Sequence, residues 1–418
     1  MDHILHLKCL ICGLTYAPEE INYVCPEHEH EGILDVRYDY DLISRRITRE
    51  QLRQNDDRTI WRYKPLLPVN LDAAVPPLTV GWTPLYSAAR LASSIGIKYL
   101  WLKDDGRQPT GSFKDRASAI AIIKARERGA TVITTASTGN AAAALSGLCA
   151  SVEQPNVIFV PESAPQAKIA QLLVFGSTVM LVRGTYDEAF NLCLQASTEY
   201  SWYNRNTGFN PYMTEGKKTA SYEICEQLGW EAPDAIFVSV GDGCIIGGLH
   251  KGLKDLRALG WIDHMPRLIG VQAAGSNYLV QAWERGESVL TKPPIKAQTI
   301  ADSISAGLPR DRLKAMAAVQ ETNGAFVSVT DEQILAAIPA LARGCAVFAE
   351  PAGAAAYAGL LAAVARGLVD SDERIVVLNT GNGLKDVAGA MKSVSLAGIR
   401  PYHVAPNMDD LMRVMSDI

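Results

Sequence analysis

The sequence predicts an α/β protein built on largely parallel sheets, and three observations support this fold class. Short β-branched apolar runs alternate with Ala-rich helical stretches over most of the chain, and Gly-rich turns join them. Hydrophobic residues make up 48% of the 418 positions and charged residues 20%, which is enough apolar material for a sizeable core. The length is typical of two or three domains.

The alternating pattern starts near residue 99, after a polar helical stretch over Asp41–Asp57 and a Pro-rich run over Pro65–Pro84. The predicted strands are Tyr99–Lys103, Thr131–Thr135, Asn156–Val160, Thr178–Val182, Ala235–Val240, Leu268–Gln272, Ala325–Val329 and Arg374–Asn379. The predicted helices are Asp115–Arg128, Asn140–Ala150, Tyr186–Ser197, Ile245–Ala258, Asp331–Ala342 and Ala352–Ala365. Strands that are apolar on both faces and alternate with helices form βαβ units with parallel sheets.

Five zones follow from this pattern. They are a Cys- and His-rich segment (1–40), an N-terminal arm and linker (41–98), a smaller α/β domain (99–200), a larger α/β domain (201–400) and a C-terminal tail (401–418). We expect two parallel-sheet domains with a ligand between them, because ligands of such folds bind where strands end and helices begin.

Charge and targeting signals restrict the class of protein. Lys plus Arg number 40 and Asp plus Glu 45, a net charge of -5 that argues against a nucleic-acid partner. Neither a secretory signal nor a membrane span is predicted, so we expect a cytoplasmic protein that does not bind membranes. Five scattered cysteines, expected to be small core residues, are Cys149, Cys193, Cys225, Cys244 and Cys345.

The other three cysteines lie near the N-terminus. Cys9-x-x-Cys12 and Cys25-x-x-His28 are separated by 12 residues, a spacing that suits a structural zinc ribbon. His30 is a rival for the fourth ligand position, and a ribbon that holds no metal is the alternative.

The first of four unusual turns contains Thr110-Gly111-Ser112-Phe113-Lys114-Asp115-Arg116 and leads into a helix. A cation at a helix start is disfavoured by the helix dipole, so the pKa of Lys114 is expected to fall. A lysine amine of lowered pKa suits Schiff-base chemistry. The alternative is an ordinary surface lysine.

The second turn, Ala136-Ser137-Thr138-Gly139-Asn140, precedes a very Ala-rich helix. The free N–H groups of a helix start suit a carboxylate or a phosphate. Alternatively, Ser137, Thr138 and Asn140 only cap the helix.

The third turn, Gly241-Asp242-Gly243-Cys244-Ile245, follows a strand and opens a helix, as phosphate cradles do. Its glycine spacing does not match the dinucleotide fingerprint, and Gly216-Lys217-Lys218-Thr219 lacks the earlier Gly of a Walker motif, since Pro211 stands there. Both observations favour a small phosphorylated cofactor. The fourth turn, Asn379-Thr380-Gly381-Asn382-Gly383, places the neutral hydroxyl of Thr380 at a strand end, or is simply a Gly-rich turn.

Together, a lysine, a carboxylate site, a phosphate cradle and a hydroxyl suit pyridoxal phosphate (PLP). The sequence resembles the fold-type II PLP enzymes, and among them the threonine synthase family. The resemblance rests on the motifs around Lys114 and Asn140, on 378–386, and on shorter stretches at Asn210-Pro211, 215–219 and 350–352.

The resemblance implies a role for each matching residue. Lys114, beside Phe113, would bind the cofactor as a Schiff base, Asn140 would contact the ring oxygen and Thr380 the pyridine nitrogen. Residues Gly241, Asp242, Gly243, Cys244 and Ile245 would hold the cofactor phosphate, and Ser137, Thr138, Gly139 and Asn140 the substrate carboxylate. A homodimer is also implied, with Trp61 and Tyr63 of the arm packing on the neighbouring subunit.

One departure from the family pattern concerns the substrate. Family members that use O-phosphohomoserine often carry Asn-Pro-x-Arg, with the Arg on the substrate phosphate, and Met213 occupies that position here. Arg205 is a candidate replacement and is therefore a predicted substrate-binding residue.

Three functions stay open on the sequence. The first is a lyase or synthase that makes threonine and phosphate from O-phosphohomoserine. The second is β-replacement or β-elimination on O-phosphoserine, serine or threonine, as in cysteate synthases and dehydratases. The third is a non-catalytic zinc-ribbon binding protein on a decayed scaffold, against which the retention of Lys114, Asn140 and Thr380 argues.

Overall fold

The computed structural model describes residues 1–137, 139–164 and 166–416. The strands are β1 (Ile4–Cys9), β2 (Thr15–Tyr16), β3 (Leu34–Tyr38), β4 (Leu85–Ser87), β5 (Tyr99–Asp104), β6 (Ile133–Ala136), β7 (Asn156–Pro161), β8 (Thr178–Val182), β9 (Tyr203–Asn204), β10 (Ala235–Ser239), β11 (Arg267–Ala273), β12 (Ala325–Val329) and β13 (Arg374–Asn379).

The α-helices are α1 (Tyr40–Arg46), α2 (Arg49–Arg53), α3 (Ala89–Ser94), α4 (Lys114–Glu127), α5 (Asn140–Ala150), α6 (Gln166–Val174), α7 (Tyr186–Glu199), α8 (Tyr212–Lys217), α9 (Thr219–Gln227), α10 (Cys244–Ala258), α11 (Tyr278–Arg285), α12 (Arg312–Glu321), α13 (Asp331–Cys345), α14 (Pro351–Ala365), α15 (Val387–Leu396) and α16 (Met408–Ser416).

The eight predicted strands and six predicted helices are all present, with ends that differ by at most three residues. The polar helical stretch expected over Asp41–Asp57 contains two short helices, α1 and α2. The second begins at a capping box in which Thr48 and Gln51 bond each other's backbone N–H groups, and this cap interrupts the helix. A polar stretch with an internal Thr-x-x-Gln is therefore better read as a helix end and a new start.

Three sheets organise the chain. The larger domain holds a six-stranded sheet of order β12-β11-β10-β13-β5-β4, parallel except for the edge strand β4. The smaller domain holds a parallel sheet of order β8-β7-β6-β9. The N-terminal segment forms a three-stranded antiparallel sheet of order β2-β1-β3.

The boundary predicted at residue 99 assigned β5 to the smaller domain, and the pairing contradicts that assignment. β5 pairs with β13 along its whole length, from Tyr99 against Arg374 to Asp104 against Asn379. The chain thus contributes two strands to the larger sheet, forms the smaller sheet, and then returns. Hydrophobic periodicity identifies a strand but does not indicate which sheet the strand joins. The boundary predicted from the sequence therefore placed β5 in the wrong domain.

The N-terminal segment and the arm pack on their own chain. Tyr38 donates a hydrogen bond to Glu215 of α8 at 2.8 Å, and Lys251 of α10 donates to the Val36 carbonyl at 2.6 Å. Trp61 and Tyr63 are buried in the core, at 7% and 0% exposure. The expectation that they pack on a neighbouring subunit is therefore wrong.

A buried network of four charges joins the strand and helices around the start of α4. Arg116 binds Asp105 and Glu223, and Lys103 donates to Glu223 at 2.7 Å, all four side chains being fully buried. Two cations and two carboxylates balance, as buried charges must.

In the part of the chain that the structure describes, no helix is long and apolar enough to cross a membrane.

Candidate active site

The loop from β5 to α4 places Lys114 at the first position of a helix. The Phe113 N–H donates to the Thr380 carbonyl at 2.9 Å, and Ser112 pairs with Gly381, so the first and fourth turns lie side by side. Asp115 closes the loop by accepting from the Thr110 N–H at 2.8 Å and from its hydroxyl at 2.5 Å. The Lys114 side chain is consequently fixed at the carboxyl edge of the larger sheet.

The Lys114 amine has a lowered pKa, as the sequence suggested, and burial is the main cause. The titratable groups close enough to act on it are Cys244 and Asp242 of the third turn, Arg205, and Glu350. Lys114 thus lies where the third turn, the Arg205 strand end and the α14 start converge. A lysine that loses its proton readily here can act as a nucleophile.

The third turn has the backbone of an anion cradle. Gly243 adopts a left-handed conformation, with φ of 91°, that lets the chain turn into α10, whose first N–H groups lack partners within the helix. A side chain at Gly241 would come within 2.8 Å of the Ile304 backbone. Cys244 and Ile245 are buried at the helix start.

Asp242, predicted to help hold the cofactor phosphate, bonds with both its side chain and its backbone to the segment before α12. Its carboxylate accepts a hydrogen bond from the Arg310 N–H at 3.1 Å, and its carbonyl accepts from the Asp311 N–H at 2.8 Å. The side chain therefore fixes the turn against the segment before α12, while the backbone of the turn is what remains for an anion.

The second turn lies between β6 and α5. The Ser137 hydroxyl accepts from the Gly139 N–H at 3.2 Å, and Asn140 opens the helix. Thr138 lies outside the described residues. Asn140 Nδ2 donates to Glu350 Oε1 at 2.7 Å and lies 3.4 Å from Ser303 Oγ, so this turn of the smaller domain contacts two segments of the larger one.

Glu350 was not singled out from the sequence as a site residue. It is 4% exposed, and burial raises the pKa of its carboxyl group to about 7. It lines a cavity of about 120 Å³ between the domains, together with Asn140, Lys168 and Lys385. Its only sequence signal was the short Glu-Pro-Ala motif at the start of α14, which ends the connection from α13.

The fourth turn brings Thr380 to within one hydrogen bond of Phe113. Thr380 is 7% exposed and follows β13 directly. The neighbouring Ser112 hydroxyl is buried and has no partner among the described residues. Two hydroxyls therefore lie close to the Lys114 backbone.

Arg205 is a buried cation at the end of β9, with 1% exposure. Its Nε donates to the Ser118 hydroxyl at 3.2 Å and its Nη1 to the Thr207 hydroxyl at 3.2 Å, while Nη2 is buried without a partner. In the described parts of the chain no carboxylate lies within 4.0 Å of it. Burial lowers its pKa to about 10, which is the signature of a guanidinium that lacks an anion.

Comparison with known proteins identifies the family. The model of the family described as "Pyridoxal-phosphate dependent enzyme" matches residues 77–381. The threonine synthase of Methanocaldococcus jannaschii is 37% identical over 413 residues, covering 98% of this chain and 99% of the relative. That of Methanosarcina acetivorans is 40% identical over 384 residues, covering 91% and 92%.

The chain belongs to the threonine synthase family. Among solved structures, the tomato (Solanum lycopersicum) threonine deaminase isoform 2 superposes with a TM-score of 0.65 at 25% identity, covering 76% of this chain and 88% of that one. A fungal L-serine ammonia-lyase from Rhizomucor miehei superposes with a TM-score of 0.65 at 22% identity, covering 75% and 97%, which shows the shared fold. Membership makes the chain a PLP-dependent lyase of fold type II, and it sets aside the non-catalytic hypothesis.

The residues of the site fit the PLP that this family uses. The turn before α10 offers backbone N–H groups to a phosphate, Lys114 offers an amine of lowered pKa, and Arg205 offers a buried cation without a counter-charge.

The N-terminal sheet holds a second candidate site. The ligand atoms of Cys9, Cys12, Cys25 and His28 all lie within 4.8 Å of one another. Cys12 Sγ and Cys25 Sγ are 3.8 Å apart, the edge expected of a tetrahedron with Zn–S bonds of about 2.3 Å. His28 Nε2 is buried without a partner, whereas the ring of the rival His30 lies 6.0 Å from that of Phe209. The cluster therefore contains His28 and leaves out His30.

Proposed function

We propose that this chain is a threonine synthase that converts O-phosphohomoserine and water into threonine and inorganic phosphate. The threonine synthases that match nearly the whole chain at 37% and 40% identity support the reaction. The surroundings of Arg205 support a phosphorylated substrate, because its buried guanidinium has a free Nη2 and no counter-charge among the described residues.

The proposal assigns each turn a task. PLP, when bound, supplies the electron sink that lets protons leave the substrate carbons and phosphate leave the γ carbon. Lys114 would hold the cofactor and, once released by substrate, move protons with its amine, which burial keeps ready to lose its charge. The backbone of Gly241–Ile245 would hold the cofactor phosphate.

The remaining residues orient the ring and the substrate. Thr380 would face the pyridine nitrogen, and a hydroxyl there holds a proton less firmly than a carboxylate, which suits elimination and replacement. Asn140 would contact the ring oxygen, its amide oriented by Glu350 at 2.7 Å. The turn from Ser137 to Asn140, which includes Thr138, would bind the substrate carboxylate.

The test is a substrate panel on the purified PLP-loaded enzyme. O-phosphohomoserine, O-phosphoserine, serine and threonine are compared by mass spectrometry of the product and by release of phosphate. We expect threonine and phosphate in equal amounts from O-phosphohomoserine. Faster conversion of serine or threonine to a keto acid would overturn the proposal.

Arg205→Ala sharpens the test. Loss of a charge-assisted hydrogen bond worth about 1.5–3 kcal/mol should lower kcat/KM for O-phosphohomoserine by roughly ten- to over a hundredfold. The matched control is Arg126→Ala, since Arg126 is an exposed arginine of α4 that donates to the Val152 carbonyl away from the site. Full activity in Arg205→Ala would remove Arg205 from the substrate site.

One observation favours the second candidate, β-elimination or β-replacement. Met213, at the position where family members often carry a phosphate-binding Arg, is fully buried and apolar. The likeness to a threonine deaminase at 25% identity points the same way. In that case serine, threonine or O-phosphoserine would be the better substrate in the same panel.

We further propose that Cys9, Cys12, Cys25 and His28 bind one structural zinc ion. The partnerless His28 Nε2 and the 3.8 Å spacing of two sulfurs support it. The metal would lie in the N-terminal sheet and would fix the loop between β1 and β2 against residues 25–28. A cytoplasmic location, where thiols stay reduced, would suit this cluster.

A homodimer is proposed on a new basis, since the arm residues expected to form it are buried in their own chain. The two C-terminal helices carry apolar side chains that are more than half exposed: Val387, Met391, Leu396, Met408, Met412 and Met415. A second copy of this chain would cover such a surface.

A further inference from the structure

Two adjacent lysines lie where α8 ends and α9 begins, and only one of them has carboxylate partners. Both Lys217 and Lys218 are fully buried. The Lys218 amine lies 2.6 Å from a Glu215 carboxylate oxygen and 2.8 Å from one of Asp255. For Lys217 the described residues offer only the Thr207 hydroxyl, at 3.4 Å, and no carboxylate within 4.0 Å. Buried ammonium groups are normally paired, so Lys217 needs an explanation that Lys218 does not.

Packing holds Lys217 where it is. A Cβ at Gly216 would come within 2.2 Å of the Arg116 carbonyl oxygen, and one at Gly248 within 2.6 Å of the Lys217 Cβ. These two glycines let α8 lie directly against the starts of α4 and α10. The Lys217 stem is thereby enclosed, and its amine is directed toward the region where Lys114 and Cys244 begin their helices.

The charges around the Lys217 amine do not balance. Lys114 and Arg205 are close enough to repel it, and the acid close enough to attract it is Asp311, whose nearest cation is Lys314 at 3.8 Å. Cys244 supplies no negative charge, because burial raises the pKa of its thiol far above neutral. As a result the pKa of Lys217 falls to about 7. Lys217 and Arg205 both lie on the Thr207 hydroxyl, with no carboxylate of the described residues within 4.0 Å of either, and this leaves room for a dianion.

The Thr207 hydroxyl connects two of these cations. Its oxygen accepts from Arg205 Nη1 at 3.2 Å and from Lys217 Nζ at 3.4 Å. A hydroxyl that accepts two hydrogen bonds still has its own proton to donate. An anion beside Thr207 would therefore meet a guanidinium, an ammonium and an O–H donor.

We propose that Lys217, with Arg205 and Thr207, binds the phosphate of a phosphorylated amino-acid substrate. This inference rests on the proposed function and adds to it a specificity-determining residue. Lys217 lies one helical turn after Met213, on the same face of α8, so the cation comes from the next turn of the helix where Met213 supplies none. The cofactor phosphate is left to the backbone of Gly241–Ile245.

The experiment compares Lys217→Gln and Lys217→Arg with the wild type, all loaded with PLP. Three quantities are measured: the Kd of PLP by absorbance titration, KM and kcat for O-phosphohomoserine, and the Kd of inorganic phosphate from the change in absorbance of the holoenzyme. For Lys217→Gln we expect kcat/KM and phosphate affinity to fall roughly 10- to 100-fold, and PLP affinity to stay within about threefold. Lys217→Arg should restore most of the phosphate affinity.

The control is Lys254→Gln, because the Lys254 amine is half-exposed and binds Glu321 on the outer side of α10. It should change none of the three quantities. Between pH 7.5 and 9 phosphate affinity should fall in the wild type, as Lys217 loses its proton, and should stay nearly constant in Lys217→Arg. The other groups facing this amine are Lys114, Arg205, Cys244 and Asp311, and they are unchanged in the comparison.

Two results would overturn the inference. If Lys217→Gln weakens PLP and leaves phosphate binding unchanged, the lysine serves the cofactor phosphate. If neither changes, it is a neutral buried amine. Phosphate binding is measured without turnover, so the two proposals can fail separately. If the enzyme does not convert O-phosphohomoserine but Lys217→Gln still weakens phosphate binding, the proposed function is refuted and the phosphate site is supported.

Discussion

Replacing Glu350 by Gln should stabilise the protein without PLP, with a gain that begins above pH 4.5 and is complete near pH 7. Glu350 is 4% exposed and accepts a hydrogen bond from Asn140 Nδ2 at 2.7 Å. Burial raises the pKa of its carboxyl group from the ordinary 4.5 to about 7, against the opposing effects of Lys385, Asn140, Lys168 and Lys114. The folded chain therefore favours the neutral acid.

The sign and size follow from linkage. Below pH 4.5 the group is neutral in the folded and unfolded chains alike and contributes nothing. Between pH 4.5 and 7 it ionises in the unfolded chain first, so the free energy of unfolding falls. Above pH 7 the loss is complete at about 3 kcal/mol, since one pKa unit corresponds to 1.36 kcal/mol.

A glutamine has no charge to bury, and its Oε1 can accept the same hydrogen bond from Asn140. The Glu350→Gln apoprotein should match the wild type near pH 4 and exceed it by about 1–3 kcal/mol at pH 8. The assay is urea unfolding of both apoproteins at the two pH values, followed by tryptophan fluorescence.

Asp302→Asn is the matched control, because Asp302 lines the same cavity but its side chain is 57% exposed and forms an ion pair with Lys168. We expect no gain at pH 8 from it. An equal gain for Glu350→Gln at both pH values, or a loss at pH 8, would refute a buried carboxyl group whose ionisation opposes folding.

Two further predictions concern zinc and assembly. Purified protein should contain about one zinc per chain. The Cys25→Ser variant should lose the zinc and keep the PLP absorbance, because the cluster lies in the N-terminal sheet. Metal-free wild type from zinc-sufficient medium would contradict this. Light scattering at micromolar concentration should give twice the 45.2 kDa chain mass, and Met412→Asp with Met415→Asp should shift it toward the monomer, whereas a monomeric wild type would exclude the dimer.

The strands and the helices that follow them were predictable because each was marked by local chemistry. A β-branched run, a Gly-rich turn and an Ala-rich helix recur, and so Thr178–Val182 and Arg374–Asn379 have the same limits in the structure as in the prediction. The clustering of Cys9, Cys12, Cys25 and His28 was predictable for the same reason, since paired short spacings place them on two neighbouring turns. The sheet that β5 joins was not, because pairing with β13 depends on residues 275 positions away.

The candidate site was predictable where a residue belongs to a turn between a strand and a helix, and not where burial between distant segments sets its properties. Lys114, Asn140 and Thr380 each follow a strand, which is where ligands of parallel sheets bind. Glu350 carried only a weak signal, since its partner Asn140 is 210 residues away. Its raised pKa arises from burial between two domains, a property that no local pattern encodes.

Lys217 and Lys218 show where sequence reasoning ends. Side by side in one motif, they are the same residue type in the same helical context, and both become fully buried. What distinguishes them is the partner: Lys218 meets Glu215 and Asp255, as the Arg116 network meets its carboxylates, and Lys217 meets a hydroxyl. Lys217 and Arg205 are two buried cations with no carboxylate of the described residues within 4.0 Å, and this is why we propose an anion from outside the chain. In a PLP-dependent lyase the anions that arrive are the cofactor and the substrate. The Gly241–Ile245 backbone is suited to the phosphate of the cofactor, so we assign Lys217 to the phosphate of the substrate.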